Sequence, residues 1–208
     1  MARPISEVGY RAGVAAFLAA VAFDIVQALQ LAGVFHFPLD EILIYTTSLG
    51  IVVPFVLEMV ALHHVTPERQ RFWTHSALAF TIVYAVFVTA NYVVQLATVV
   101  PAKLNGTIAS MRLLEQTPHS MFWDFDAVGY IAMALACLCV LPTVGRAGFE
   151  RWVRISLVAN VAVTPLIAWV YFYPRFSNTL LLLGLPWAFT APAFMLMLAL
   201  MMRRRGET

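Results

Sequence analysis

Six long apolar runs, none with a Lys or Arg in its interior, constrain this chain more than any other feature. They lie near residues 12–34, 42–62, 74–99, 125–142, 153–172 and 179–202. Each is close to the roughly 20 residues that cross a bilayer core. Lipid offers the backbone no hydrogen-bond partners, so such segments fold as helices unless a barrel closes. The expected fold is therefore all-α: a polytopic membrane helix bundle of about six transmembrane helices, making residues 1–208 a single integral membrane domain. Composition agrees, with 62% hydrophobic and only 12% charged residues, against about 25% charged in soluble domains. A net charge of +2 is too balanced for a nucleic-acid binder, which concentrates basic charge on one face.

Basic residues orient the bundle. Arg3 and Arg11 precede the first run, Arg69 and Arg71 separate the second from the third, Arg146, Arg151 and Arg154 flank the gap before the fifth, and Arg203, Arg204 and Arg205 follow the sixth. Only Lys103, Arg112 and Arg175 fall in the alternate loops. Cytoplasmic loops carry the excess of Lys and Arg, so both termini are expected in the cytoplasm, in a bacterial inner membrane. Arg3 and Arg11 ahead of an Ala-rich stretch resemble a secretory signal, but the apolar sequence runs on past Ala22 and the charge pattern needs this helix. Cys137 and Cys139, the only cysteines, stand about 200° apart around a helix and cannot share a metal.

The third loop, 100–123, is the longest. Leu104, Ile108, Met111 and Leu114 recur in it at helical spacing, as in an amphipathic segment resting on the membrane surface or lying as a lid over an outer cavity. Asn105-Gly106-Thr107 there forms a glycosylation sequon, relevant only in a eukaryotic secretory pathway.

Carboxylates within the spans carry the functional argument. A charged side chain at mid-helix costs about 2.5 to 3.5 kcal/mol on insertion scales, so each needs a partner, a cavity or a proton. Asp24 lies mid-span on the face of Ala12, Ala16 and Ala20, and Gln27 continues that face. Glu58 shares a face with Thr47 and Pro54, and Pro54 leaves the Gly50 carbonyl without a helical donor. A protonated Glu58 could donate to that carbonyl, which makes Glu58 the favoured proton carrier. Asn91 with Gln95, and Asn160 with Thr164 and Tyr171, put polar stripes on two further spans. These groups are expected to converge on one interior region.

Towards the outside, Trp123-Asp124-Phe125-Asp126 alternates rings and acids beside His119, the best candidate for an outer vestibule with chemistry. Asp124 and Asp126 are placed at the outer mouth, where a carboxylate costs little. Gly184, Pro186 and Pro192 mark the span around Trp187 as interrupted, an arrangement tolerated where backbone lines protein or a cavity. Prolines at matching places in spans two and five raise the idea of an inverted three-plus-three repeat, though residue identity between the halves is thin. His63, His64 and His75 gather at the inner rim and fit haem or metal binding poorly. Lys103 is the only lysine and sits in a loop, which removes a retinal Schiff base.

No Walker loop, dinucleotide glycine fingerprint, zinc-protease helix or Asp-rich prenyl-diphosphate motif is present. Three classes of function stay open. The first is binding or transport of a small amphipathic or lipid-like molecule. The second is a cofactor-independent acid/base enzyme, an isomerase or cyclase, acting on a lipid or isoprenoid. The third is an assembly subunit without a small ligand. The candidate catalytic groups are Glu58, Asp24, Asp126, Asp124 and His119. The candidate ligand contacts are Gln27, Thr47, Asn91, Gln95, Trp123, Asn160, Thr164, Tyr171 and Trp187. No metal or cofactor is expected. The expected partners are membrane lipids and a small hydrophobic or amphipathic ligand, with self-association left open and no nucleic acid.

Overall fold

The computed structural model describes residues 2–207, and side chains from Pro4 to Gly206, so Arg3 of the charge asymmetry lies outside the described side chains. Its long helices are α1 (Ala2–Leu31), α2 (Leu39–Val65) and α3 (Arg71–Val94), the last prolonged by a π turn (Gln95–Val99) into α4 (Val100–Leu104). They are followed by α5 (Met121–Val140), α6 (Gly148–Phe172), the short α7 (Asn178–Leu181) and α8 (Trp187–Glu207). No strand occurs among the described residues. Six segments are long and apolar enough to cross a membrane: Pro4–Leu31, Leu39–Val65, Glu68–Leu104, Met121–Thr143, Gly148–Phe172 and Asn178–Gly206. The chain is a multi-pass membrane helix bundle.

Each long helix packs on its neighbours in the chain, and α8 closes the circle by packing on both α6 and α1. With six passes, both termini lie at one end, the arginine-rich end. Inside the ring, Phe55, Met59, Met133, Leu157, Phe194 and Leu198 are almost wholly buried. The first helix begins about ten residues before the apolar run, because Ser6, Glu7 and Arg11 are tolerated at the membrane edge. There Arg11 pairs with Glu7 one turn away at 2.7 Å.

Small residues set the tightest approach. A Cβ on Gly13 would strike the Glu58 carboxyl and come within 2.7 Å of the Ala199 Cβ. One on Gly9 would strike Met202 and come within 2.8 Å of the Ala61 Cβ. Gly9 and Gly13 stand one turn apart, continued by the fully buried Ala16 and Ala20. This stripe lets α1 press against α2 and α8, the usual basis of close packing in lipid.

Prolines explain the irregular backbone. Pro101 cannot donate to the Ala97 carbonyl and its ring would collide with it. The widened π turn before it, closed by the Val100 N–H on the Gln95 carbonyl, avoids the collision. In the sixth span Gly184 and Pro186 separate α7 and a 3-10 turn (Leu182–Gly184) from α8. The third loop differs from the amphipathic segment that its spacing suggests. Gly106, at φ +70°, ends the helix, and the remainder forms two 3-10 turns, Ile108–Ser110 and Arg112–Leu114. Leu113 then projects outward, 88% exposed.

Candidate functional site

Two carboxyl groups from different helices frame the end of the bundle away from the arginines. Asp126, in the second turn of α5, is buried. It accepts hydrogen bonds from the Tyr92 hydroxyl of α3 at 2.6 Å and the Tyr171 hydroxyl of α6 at 2.5 Å, with the Gln116 amide at 3.4 Å. Its position in the sequence predicts a mouth where a carboxylate costs little. The correction is that the third loop and three helices close over it, and two tyrosines satisfy it where water would have. Beside it lies a cavity of about 20 Å³ lined by Phe23, Ser48, Tyr84, Tyr130 and Trp187 among others. That is room for one water molecule.

Asp24 belongs to a larger space. A pocket of about 530 Å³ opens between α1, α6 and the broken start of the sixth span. Asp24, Gln27, Tyr130, Tyr171, Asn178, Thr179 and Trp187 supply its polar and aromatic surface. Ala28, Leu31, Leu182 and Leu185 are lining residues that are also exposed, as are Asn178 and Thr179, so the rim is apolar on the side of α1 and the 3-10 turn and polar at the start of α7. Neither α1 nor α6 packs on the other, since α8 stands between them. Where α8 gives way to the turn at Gly184–Pro186, the gap between them becomes the pocket.

Tyr130 and Trp187 line both spaces and meet edge to face, ring centroids 4.8 Å apart. They form the wall between the pocket and the water-sized cavity. Tyr171 crosses that wall: its ring lines the pocket and its hydroxyl bonds Asp126. Trp123 backs Tyr171 at 4.5 Å, and Phe176 backs Trp123 at 5.7 Å. One Asp24 oxygen, Oδ1, is buried without a hydrogen-bond partner, as is the Trp123 indole nitrogen.

The third loop is latched across this end. Gln95 donates to the Leu114 carbonyl at 2.8 Å and accepts from the Gln116 N–H at 3.1 Å. Lys103 bridges Glu41 and Glu115, both at 2.7 Å. Gln95 thus acts on the loop, one step removed from Asp126 through Gln116. His119 is exposed in a turn with φ +65°, and Asp124 is exposed on the first turn of α5, where the helix dipole favours a carboxylate.

The remaining expected residues lie elsewhere, so the polar stripes do not converge on one region. Glu58 is wholly buried against Gly13 of α1, towards the arginine-rich end, and neither of its oxygens has a hydrogen-bond partner. It therefore makes no bond to the Gly50 carbonyl. Thr47 bonds back to the Leu43 and Ile44 carbonyls of its own helix. Asn160 joins three helices, donating to Cys137 Sγ at 3.6 Å and accepting from Thr190 at 3.3 Å, while Thr164 bonds the Asn160 carbonyl. Asn91 is fully buried with both amide atoms unpartnered.

Tyr92, Tyr130 and Ser48 were not foreseen. The available signal was spacing: Tyr130 follows Asp126 by four residues, one turn along the same face. Among the described residues no group of three or more His, Cys, Asp or Glu side chains is placed to hold a metal ion. No known protein family, curated protein or solved structure matches this chain. The site must therefore be interpreted from its own chemistry.

Proposed function

We propose that this chain binds or transports a small amphipathic or lipid-like molecule in the pocket between α1, α6 and the broken sixth span. The observation that carries the reading is the pocket itself. At about 530 Å³ it falls within the range of small-molecule sites, about 300–1,000 Å³. Its exposed lining residues are Ala28, Leu31, Leu182 and Leu185 with Asn178 and Thr179 beside them, while Asp24, Gln27 and Tyr171 are less exposed, an arrangement that suits a ligand with one polar end. Membrane lipids surround the six spans, and a ligand arriving from them can enter past Leu31, Leu182 and Leu185. The excess of arginines at the end bearing both termini supports placing that end in the cytoplasm of a bacterial inner membrane, with the pocket in the outer half. A second copy of the chain stays open as a partner, and no nucleic acid is proposed.

The acid/base alternative has one observation in its favour. Tyr171 lines the pocket and is hydrogen-bonded to Asp126 behind it. A proton held by this pair stands one hydroxyl away from a bound isoprenoid or lipid. The Trp187, Tyr130 and Tyr171 rings would steady the positive charge that protonation of a double bond develops.

Ala188, half-buried on the pocket wall, provides the test. Ala188→Trp should fill the space without removing a polar group. Wild-type protein purified from membranes in mild detergent should yield a small hydrophobic molecule by mass spectrometry of its extract, and the variant should lose it while keeping the wild-type unfolding midpoint. Identical extracts from the two proteins would reject the pocket as the binding site.

A further inference from the structure

We infer that the ligand's polar end is a cation, an amphipathic amine or quaternary ammonium held beside Asp24 with its apolar chain directed towards Leu31, Leu182 and Leu185. This deepens the pocket reading above and rests on it. Charge inventory is the first ground. Asp24 is the only ionisable acid or base among the lining residues apart from the two tyrosines, and no Lys, Arg or His is among them. A carboxylate or phosphate head group would meet Asp24 with no cation to offset the repulsion, and the buried carboxyl of Asp126 lies behind the same wall. Fatty acids and prenyl diphosphates are disfavoured accordingly.

The second ground is what the pocket leaves unsatisfied. Asp24 Oδ1 is buried with no donor, and a buried acceptor without a donor is costly. Pro192, inside α8, cannot donate to the carbonyl of Ala188, a residue of the pocket wall. Asp24 Oδ1 is thus an unpartnered acceptor on the pocket lining, which a charged N–H or an ammonium complements. The unpartnered Trp123 indole N–H lies behind Tyr171, off that lining. The third ground is aromatic. Trp187, Tyr130 and Tyr171 all line the pocket with Asp24, and ring faces attract a desolvated cation. Phe23 meets Trp187 edge to face at 5.9 Å, so with Tyr130 the indole is held from two sides. A preformed wall of this kind needs little reordering when a cation arrives.

Three probes of equal chain length separate the possibilities: decyltrimethylammonium, decanol and decanoate. Each is titrated into protein in lipid nanodiscs, followed by tryptophan fluorescence and referenced to empty nanodiscs. The ammonium should bind about 10- to 100-fold more tightly than the other two, the range for an added charged interaction. Asp24→Asn should bring that preference down to about threefold or less while decanol binding is kept, and Asp24→Glu should restore it. Decanol binding as tightly as the ammonium in the wild-type protein would overturn the cation assignment and leave the amphiphile pocket standing. Decanoate binding best would do the same. Failure of all three probes to bind would overturn both readings. The wild-type comparison decides the matter even if an Asp24 variant fails to fold.

Discussion

Removing single hydroxyl groups around Asp126 tests whether this buried carboxyl is held as the structure shows. Tyr171→Phe keeps the ring that packs on Trp123 at 4.5 Å and deletes only the donor. Tyr92→Phe likewise keeps the ring beside Tyr45 at 5.5 Å. A hydrogen bond to a charged or buried group contributes about 1 to 3 kcal/mol, so each variant should lose about that much. The first loss leaves Asp126 one short bond of 2.5 or 2.6 Å and the longer Gln116 contact of 3.4 Å. The second leaves Gln116 alone, with room for about one water in the adjoining cavity. The double variant should therefore cost more than the sum of the singles, by about 0.5 to 2 kcal/mol of coupling. For a chain of this size each kcal/mol moves the unfolding midpoint by about 2–4 °C. Thermal unfolding in detergent micelles, followed by circular dichroism, gives all four corners of the cycle. Strict additivity, or no loss in either single variant, would refute the argument that both tyrosines act through Asp126.

Glu58 predicts the opposite sign. Because its carboxyl is buried without a hydrogen-bond partner, Glu58→Met should raise stability by about 1 to 3 kcal/mol, whereas Glu58→Gln, which keeps a buried polar group, should not. If both variants instead lose ligand binding or activity, Glu58 serves function at the expense of stability. The loop latch gives a further expectation. Lys103→Ala removes both the Glu41 and Glu115 bridges, so amide exchange across 105–120 should quicken at least several-fold, with the helices unchanged. Unaltered exchange there would show that Gln95 alone holds the loop.

Much of the architecture was legible because lipid allows few solutions. Six apolar runs gave six spans, and Gly184 with Pro186 announced the break in the last. The third loop was harder, since helical spacing over Leu104–Leu114 competes with a backbone stop at Gly106 that the periodicity does not register. For the site, the helical faces were informative: Asp24 and Gln27 do share a pocket, and Tyr171 and Trp187 join them there. Periodicity tells which way a side chain points from its own axis, but not its depth or the neighbour it meets. That is why Glu58, Asn160 and Gln95, each correctly inward, end in three separate places. Tyr92 and Tyr130 escape a search for charged and amide groups within spans, because a tyrosine counts as apolar until its hydroxyl is seen to meet a carboxyl. Gly9 and Gly13 were passed over because a glycine's role in packing depends on the helix that presses against it.

The middle of the bundle bears on the choice between moving a ligand and transforming one. Phe55 stands one turn from Ile51, beside the water-sized cavity, and nearly one turn from Glu58. Its ring meets Tyr84 at 5.6 Å and Phe194 at 5.8 Å, both edge to face. Phe55 and Phe194 have no exposed surface. Tyr84 lines the cavity beside Asp126, and with Phe55 and Phe194 it packs as a buried aromatic layer between that cavity and the level of Glu58. A transporter using both acids would have to part this layer, shifting α2, α3 and α8 against one another. That rearrangement is opposed by the close packing at Gly13, where α1 meets both Glu58 and Ala199. An enzyme, or a protein that only binds its ligand, needs no such movement, because the pocket, Tyr171 and Asp126 all lie on the same side of the rings. On the proposed reading, parting this layer is the step that transport adds to binding, and Glu58 is an acid isolated from the pocket by it.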